Sequence, residues 1–274
     1  MRVLIDGVEV PADEASVSVF DWGLIRGFGC FEYIRSYNGH PFQLDAHLLR
    51  MRRSAAALGL AEPPEQLAEW ISRVASAGGD CYVRVVMTAG SRDSITSTPP
   101  RVIVYWEEIP EVPAAFRLSA RAAPWHAAGV YSELTQAKTV SYAPNMAVGL
   151  AAASDGFHDA LLVGRDGSVL EGPTFSIAWF TDGVLETPTL DLGILESVTR
   201  AVVLEVAAGL DFEISEGAFP LERILAADEV AVLSTVKEVS PVVAIDDTVF
   251  SPGPLTEKLR MAVFERITAE VGGL

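Results

Sequence analysis

Lysine is scarce in this chain: of its 20 cationic residues 17 are Arg and three are Lys, at positions 138, 237 and 258. Lysine can give up its proton and attack a carbonyl, which arginine cannot, so the setting of each lysine is informative. Lys258, in Glu257-Lys258-Leu259-Arg260, reads as the solvated face of a C-terminal helix, and Lys237 reads as an exposed partner of Glu238. Lys138 differs. It stands in Leu134-Thr135-Gln136-Ala137-Lys138-Thr139-Val140-Ser141-Tyr142, among small and neutral residues with no acid in the segment. An amine desolvated without a counter-charge becomes nucleophilic, which is what Schiff-base chemistry requires.

Other groups fit the same chemistry. Glu171, in Glu171-Gly172-Pro173-Thr174-Phe175-Ser176, is an acid at a strand entry that could pair with a pyridinium nitrogen. His47 and Arg50 fall at i and i+3 on one helix face, where a guanidinium can hold a phosphate bidentately. Gly193-Ile194-Leu195-Glu196-Ser197-Val198-Thr199-Arg200 is a loop running into a helix, whose first amides form an anion site. Ser234-Thr235 ends a strand and adds hydroxyl and amide donors. An amine, a pyridinium acid and a three-part phosphate cup together describe a pyridoxal phosphate site.

Competing chemistries find less support. His40, His47, His126 and His158 have no second His or Cys at ligand spacing, so no metal is expected. A Gly-x-Ser-x-Gly elbow is absent, and Gly27-Phe28-Gly29-Cys30-Phe31-Glu32 has Glu where a dinucleotide fingerprint needs its third Gly. The formal charge of −17 opposes nucleic-acid binding. Met1-Arg2-Val3-Leu4-Ile5-Asp6-Gly7 reads as a strand entering a turn, without a signal peptide's apolar region. No run of about 18 apolar residues exists to span a membrane. With Cys30 and Cys81 in apolar, strand-like contexts, a cytoplasmic location is expected.

The elements that must position these groups are partly legible. Leu67, Trp70, Ile71 and Val74 follow i, i+3, i+4, i+7, and residues 45–60 repeat the helical pattern. Strands are expected over 31–37, 81–88 and 101–106, with a Pro-marked stretch at 109–113 and a further strand at 116–120. Helices are expected over 144–156, 197–209 and from Pro254, and strands near 160–163, 175–180, 184–186 and 229–233. The fold class is therefore α+β. A small N-terminal domain is expected over 1–115, a linker over 116–122, and a larger domain carrying Lys138 over 123–274.

Several motifs in one order run through nearly the whole chain: Phe20-Asp21-Trp22-Gly23, Gly29-Cys30-Phe31-Glu32, His47-Leu48-Leu49-Arg50, Lys138-Thr139-Val140-Ser141-Tyr142, Asp159-Ala160-Leu161-Leu162, Gly167 to Gly172, Val198-Thr199-Arg200 and Val239-Ser240-Pro241-Val242. In these the sequence resembles the fold-type IV, or class IV, pyridoxal phosphate aminotransferases. The resemblance implies that Lys138 forms the Schiff base and shuttles the proton, Glu171 partners the ring nitrogen, and Arg50 with Val198, Thr199 and Thr235 holds the phosphate. It further implies Tyr142 beside the phenolic oxygen, Leu195 against the ring, and Ser234 next to the phosphate site. The family's fold has a small N-terminal α+β domain and a larger one of barrel-like β structure. Its cofactor lies in the cleft between them, and a homodimer completes the pocket.

Within the family, D-amino acid aminotransferases carry an Arg-x-His pair after a Thr-Arg-Gly turn; here Arg92 stands two places early and no His follows. Branched-chain enzymes have Gly where Tyr33 stands, and lyases have Thr there and Asn at Ser234. The chain length and the short Lys138 to Ser141 spacing agree with the D-amino acid and lyase branches. Strand alternation puts Phe31 and Tyr33 on one face. Arg84, mid-strand between Val83 and Val85, is expensive unless paired. Arg26 and Arg84, with Arg92 in reserve, are the expected receptors of the substrate carboxylate. The expected activity is ping-pong transfer of an amino group from a D-amino acid, and also from an (R)-amine, to a 2-keto acid. A branched-chain L-aminotransferase, an aminodeoxychorismate lyase and a cofactor-binding protein without turnover are the alternatives.

Overall fold

A computed structural model describes residues 2–91, 100–126 and 133–272. It divides into two compact units, Met1–Pro110 with Gln136–Tyr142 and Thr268–Leu274, and Glu111–Thr135 with Ala143–Ile267.

The first unit is built on an antiparallel sheet of β1 (Arg2–Ile5), β2 (Val8–Pro11), β3 (Gly29–Tyr37), β4 (His40–Pro41), β5 (Cys81–Thr88) and β6 (Arg101–Glu107), in the order β2-β1-β6-β5-β3-β4. Helix α1 (Trp22–Arg26) precedes β3, and α2 (Leu44–Ala57) and α3 (Leu67–Gly78) follow β4. Alternation along the strands sorts the residues by face. Ile34, Val83, Val85, Met87, Val102 and Val104 are buried against Met51 of α2 and Ile71 of α3. Removing this apolar surface from water is what holds helices to sheet. Phe31, Tyr33, Arg84 and Tyr105 stand on the opposite, half-buried face, Tyr33 directly across from Arg84 and Arg84 from Tyr105.

Gly27 caps α1 at φ 62, and a Cβ there would stand 2.5 Å from Ser141 Oγ, whose hydroxyl donates to Gly27 O at 2.7 Å. Glycine therefore serves both the left-handed cap and the close approach of the Lys138 segment.

The second unit carries a mixed sheet of β7 (Phe116–Ala122), β8 (Asp159–Val163), β9 (Ser176–Thr181), β10 (Val184–Pro188), β11 (Ile214–Gly217), β12 (Glu229–Ser234) and β13 (Glu238–Ile245), in the order β11-β10-β9-β12-β13-β7-β8, with β14 (Thr248–Val249) paired to β13. Helices α4 (Glu133–Gln136), α5 (Ala143–Ser154), α6 (Val198–Gly209), α7 (Leu221–Leu225) and α8 (Pro254–Val271) complete the chain. One core gathers Leu118, Leu161, Ile177, Trp179 and Val232, and a second gathers Ala152, Ala160, Leu162, Leu170 and Ile194. The α+β class expected from sequence is thus the observed one, and among the described residues no helix is long and apolar enough to cross a membrane.

Two expectations need correction. Residues 116–122, read as a linker, are strand β7, with Phe116 and Leu118 buried and parallel pairing to β8 and β13. The strand expected at 116–120 is therefore present, but its partners lie far along the chain, so the local pattern does not show that it sits inside a sheet rather than between domains. Lys138, assigned to the C-terminal domain, belongs with the first unit. Its N–H donates to Ser54 Oγ of α2 at 3.0 Å, its carbonyl accepts from Phe31 N at 2.9 Å, and Val140 N donates to Gly29 O at 3.0 Å. The segment docks as a short antiparallel bridge against the start of β3.

Candidate active site

In the first unit the Lys138 ammonium lies 4.3 Å from the centroid of the Phe31 ring and its Nζ is 3.5 Å from Tyr142 Oη. Phe31 and Tyr142 meet edge to face with centroids 5.3 Å apart, so β3 and residues 138–142 form one aromatic corner around the amine. Two positions along the same face of β3, Tyr33 stacks on Tyr82 at 4.8 Å and carries the Arg84 guanidinium over its ring at 4.4 Å. Arg84 donates through Nε and Nη2 to the two oxygens of Glu107, at 3.1 and 3.0 Å. The mid-strand arginine that the sequence marked as expensive is therefore paired, and with a residue the sequence reading did not find. Burial lowers the pKa of Arg84, but its bonds to Glu107 outweigh that and raise it. Glu107 is pushed up by burial and held down overall by Arg84 and the Tyr33 hydroxyl.

Facing the helices, Glu32 is a carboxylate in the interior. Arg50 donates to it through Nε at 2.7 Å and Nη2 at 2.6 Å, and His47 Nδ1 lies 2.7 Å from Oε2. Burial pushes the Glu32 carboxyl up, yet the charge and hydrogen bonds of Arg50, with His47, hold it down at about 2. The pKa of His47 is lowered, mainly because burial disfavours the imidazolium. The i, i+3 spacing on α2 does bring His47 and Arg50 to one face, and the Nε and Nη2 of Arg50 engage an internal carboxylate. The detectable signal for Glu32 was an acid alternating into the apolar face of β3. Arg26 is exposed at the end of α1, where Nη1 donates to Ile25 O at 3.3 Å, and Arg92 lies outside the described residues.

The second unit holds the other candidates. Glu171 accepts from Leu195 N, at 3.2 and 3.3 Å to its two oxygens, and His126 Nε2 stands 4.0 Å from Glu171 Oε1. Burial lowers the pKa of His126, which makes it a neutral neighbour rather than a cation; nothing in the sequence had linked the two. Ser197 caps α6, its Oγ accepting from Arg200 N at 3.2 Å, so the amides of Val198 and Thr199 occupy the first turn, where a helix presents donors to an anion. Arg200 itself is buried and bound to Glu216 and to Pro188 O. Ser234 ends β12, and Thr235 opens the turn into β13.

Lys237 departs from expectation. Its side chain is 12 % exposed, against Asp159 rather than Glu238. Among the described residues no group of three or more His, Cys, Asp or Glu could hold a metal ion.

This donor set fits pyridoxal phosphate chemically. It offers an amine within an aromatic corner for the aldehyde and a carboxylate held by a backbone amide for the ring nitrogen. Helix-terminal amides with nearby hydroxyls suit the phosphate. The fit extends to known proteins. Two relatives are 31% identical to this chain. The putative branched-chain-amino-acid aminotransferase of Methanocaldococcus jannaschii aligns over 95% of this chain and 94% of its own, and the D-alanine aminotransferase of Bacillus licheniformis over 98% of each. Among solved structures, the branched-chain aminotransferase from the thermophilic archaeon Thermoproteus uzoniensis, with norvaline, superposes with a TM-score of 0.88 at 29% identity, covering 97% of this chain and 94% of that one. The amino-transferase class IV family model matches residues 29–245, most of the chain, and this protein therefore belongs to the class IV aminotransferases, enzymes that use pyridoxal phosphate.

Proposed function

We propose that this aminotransferase moves the amino group of a D-amino acid, and also of an (R)-amine, to a 2-keto acid by a ping-pong mechanism. The observation that carries the reading is the Arg84 guanidinium lying over Tyr33, on the same sheet face as the Phe31 ring that packs against Lys138 Nζ. A substrate amine directed to Lys138 from that face meets a cation suited to its carboxylate. A bulky branched side chain there would instead meet a tyrosine ring and a guanidinium, where the branched-chain pattern has Gly.

Pyridoxal phosphate, when bound, supplies an aldehyde that condenses with primary amines and a ring that withdraws electrons from the substrate Cα. The chain's own residues do the rest. Lys138 Nζ holds the cofactor and moves the Cα proton, with the Tyr142 hydroxyl 3.5 Å away to orient it. Glu171, pinned by the Leu195 amide, would keep a proton on the ring nitrogen, and Leu195 would line the ring site. Arg50, Val198, Thr199, Ser234 and Thr235 take the phosphate. Phe31 and Tyr33 wall the substrate, and Arg84, with Arg26 and Arg92, receives its carboxylate. The enzyme acts as a cytoplasmic homodimer.

A second reading, a branched-chain L-aminotransferase, is favoured by the equal identity of the Methanocaldococcus jannaschii relative. The half-reaction separates the two. Purified enzyme is mixed in turn with D-alanine, D-glutamate, L-leucine and (R)-1-phenylethylamine, and loss of its visible absorbance is followed. Bleaching by the D-amino acids is the expected result. Bleaching by L-leucine alone would establish the second reading, pyruvate release from aminodeoxychorismate would indicate the lyase, and no bleaching by any donor would indicate binding without turnover.

A further inference from the structure

The hairpin joining β12 to β13 turns on three residues, Thr235, Val236 and Lys237, between the paired Ser234 and Glu238. Two short hydroxyl side chains bond the backbone of its third residue. Lys237 N donates to Ser234 Oγ at 2.9 Å, Ser240 Oγ donates to Lys237 O at 2.6 Å, and Glu238 takes φ 49, the left-handed position that closes a three-residue loop.

The Lys237 side chain nevertheless leaves water. Its Nζ donates to Thr174 Oγ1 at 3.0 Å, lies 3.8 Å from Asp159 Oδ2, and stands 5.0 and 5.7 Å from the ring centroids of Phe175 and Phe116. One side chain thus ties the hairpin tip to β7, to β8 and to the segment entering β9. Burial lowers its pKa, with Asp159 opposing, and burial likewise raises that of Asp159. A buried pair of this kind adds little net stability over apolar packing, because desolvation offsets the attraction, whereas it does fix where its partners sit. Elsewhere on a hairpin tip a lysine would stay solvated at lower cost.

Two residues before Lys237 stands Thr235. We propose that Lys237 is a positioning residue for cofactor binding: by anchoring the hairpin tip on Asp159, Thr174 and the two phenylalanine rings, it fixes the hydroxyl and amide of Thr235 for the phosphate. This rests on the phosphate role given to Thr235 above.

The test compares binding of pyridoxal 5'-phosphate and of pyridoxal, which lacks the phosphate, to the full chain stripped of cofactor. Lys237→Met keeps the length of the side chain and removes the ammonium. It is expected to raise Kd for pyridoxal phosphate roughly tenfold or more, the effect of a small misplacement, and to change Kd for pyridoxal less than about twofold. Asp159→Asn, which weakens the anchor and leaves the amine, should move the same ratio in the same direction, and serves if Lys237→Met does not fold. An unchanged ratio in the variants, or equal weakening of both ligands with a lowered Tm, would overturn the proposal. Thr235→Ala tests the underlying assignment separately: if it leaves the ratio unchanged, Thr235 does not hold the phosphate, whatever Lys237 does.

Discussion

Glu32 and Arg50 face each other through two parallel hydrogen bonds, Nε to Oε1 at 2.7 Å and Nη2 to Oε2 at 2.6 Å, with both side chains almost wholly out of water. The pair joins β3 to α2 and places the guanidinium expected to bind phosphate on an internal carboxylate. Removing the charge of Glu32 strands Arg50 in the interior, which costs roughly 3–5 kcal/mol for a buried pair. Glu32→Gln should therefore unfold at markedly lower urea concentration at pH 7. The pH dependence has a definite sign. The folded carboxyl titrates at about 2 and the ordinary value is 4.5, so its contribution is complete above about 4.5 and is lost as pH falls toward 2. Urea titrations at pH 7 and pH 3 should show the gap between wild type and variant narrowing at the lower pH.

Lys138→Ala should abolish the visible band of the holoenzyme and the borohydride-sensitive attachment of cofactor. Tyr142→Phe removes a hydroxyl 3.5 Å from Nζ and should keep the band while slowing the half-reaction about tenfold or more, as loss of a group that orients proton transfer does. Stopped-flow spectra of the two variants check both outcomes, and a Tyr142→Phe rate equal to wild type would remove that hydroxyl from the chemistry.

Glu171→Gln keeps an oxygen to accept from the Leu195 amide and removes the charge proposed to favour a protonated ring nitrogen. The half-reaction should slow by on the order of a hundredfold, as when one preorganised electrostatic contact is lost, with cofactor still bound. Single-turnover rates alongside the cofactor content of the purified variant separate lost chemistry from lost binding.

The thiols should be silent. Cys30 lies in the apolar face of β3, and burial, reinforced by Glu32, pushes it up to about 12; Cys81 is raised by burial as well. Since the thiolate is the reactive form, iodoacetamide at about pH 8 should label neither residue in the native protein and both after denaturation, as counted by mass spectrometry.

How much of this was legible depended on the range of the interactions. Helix α3 is legible because Leu67, Ile71 and Val74 repeat along one face, and α6 because its N-terminus follows a Gly-led loop; the Ser197 cap is seen only in the structure. Lys138 was singled out by its neutral neighbours, a local property. What failed was long-range. A strand at 116–120 is legible locally, but its place inside a sheet rather than in a linker is set by parallel partners beyond residue 158, and the unit to which Lys138 belongs is set by hydrogen bonds to Phe31 and Ser54. Lys237 was read from its neighbour Glu238, yet its side chain is held by Asp159 and Thr174, more than sixty residues upstream. Arg84 shows the boundary most clearly: its position in β5 announced that a counter-charge must exist, and only the pairing of β5 with β6, which sets Glu107 opposite Tyr82 and diagonal to Arg84, named it.

That pairing leads to the sharpest test of substrate choice. Arg84 is always charged, and Glu107 stays ionised because Arg84 and the Tyr33 hydroxyl hold its pKa down, so the pair remains charged across the neutral range. A substrate carboxylate arriving at Arg84 must share the guanidinium with a resident carboxylate. If Arg84 receives the α-carboxylate, Arg84→Ala should raise KM for D-alanine roughly tenfold or more, as loss of a charge-assisted contact does, and leave KM for (R)-1-phenylethylamine, which has no carboxylate, within about twofold. Glu107→Gln then makes the opposite prediction from a purely structural role. Deleting the competing negative charge raises the positive potential at Arg84, so KM for D-alanine and D-glutamate should fall, and fall less at high salt. Were Glu107 only a brace, its loss would loosen Arg84 and raise KM instead. Steady-state kinetics of the two variants with the three donors, at low and high ionic strength, decide between a guanidinium that reads substrate and one that only closes the sheet.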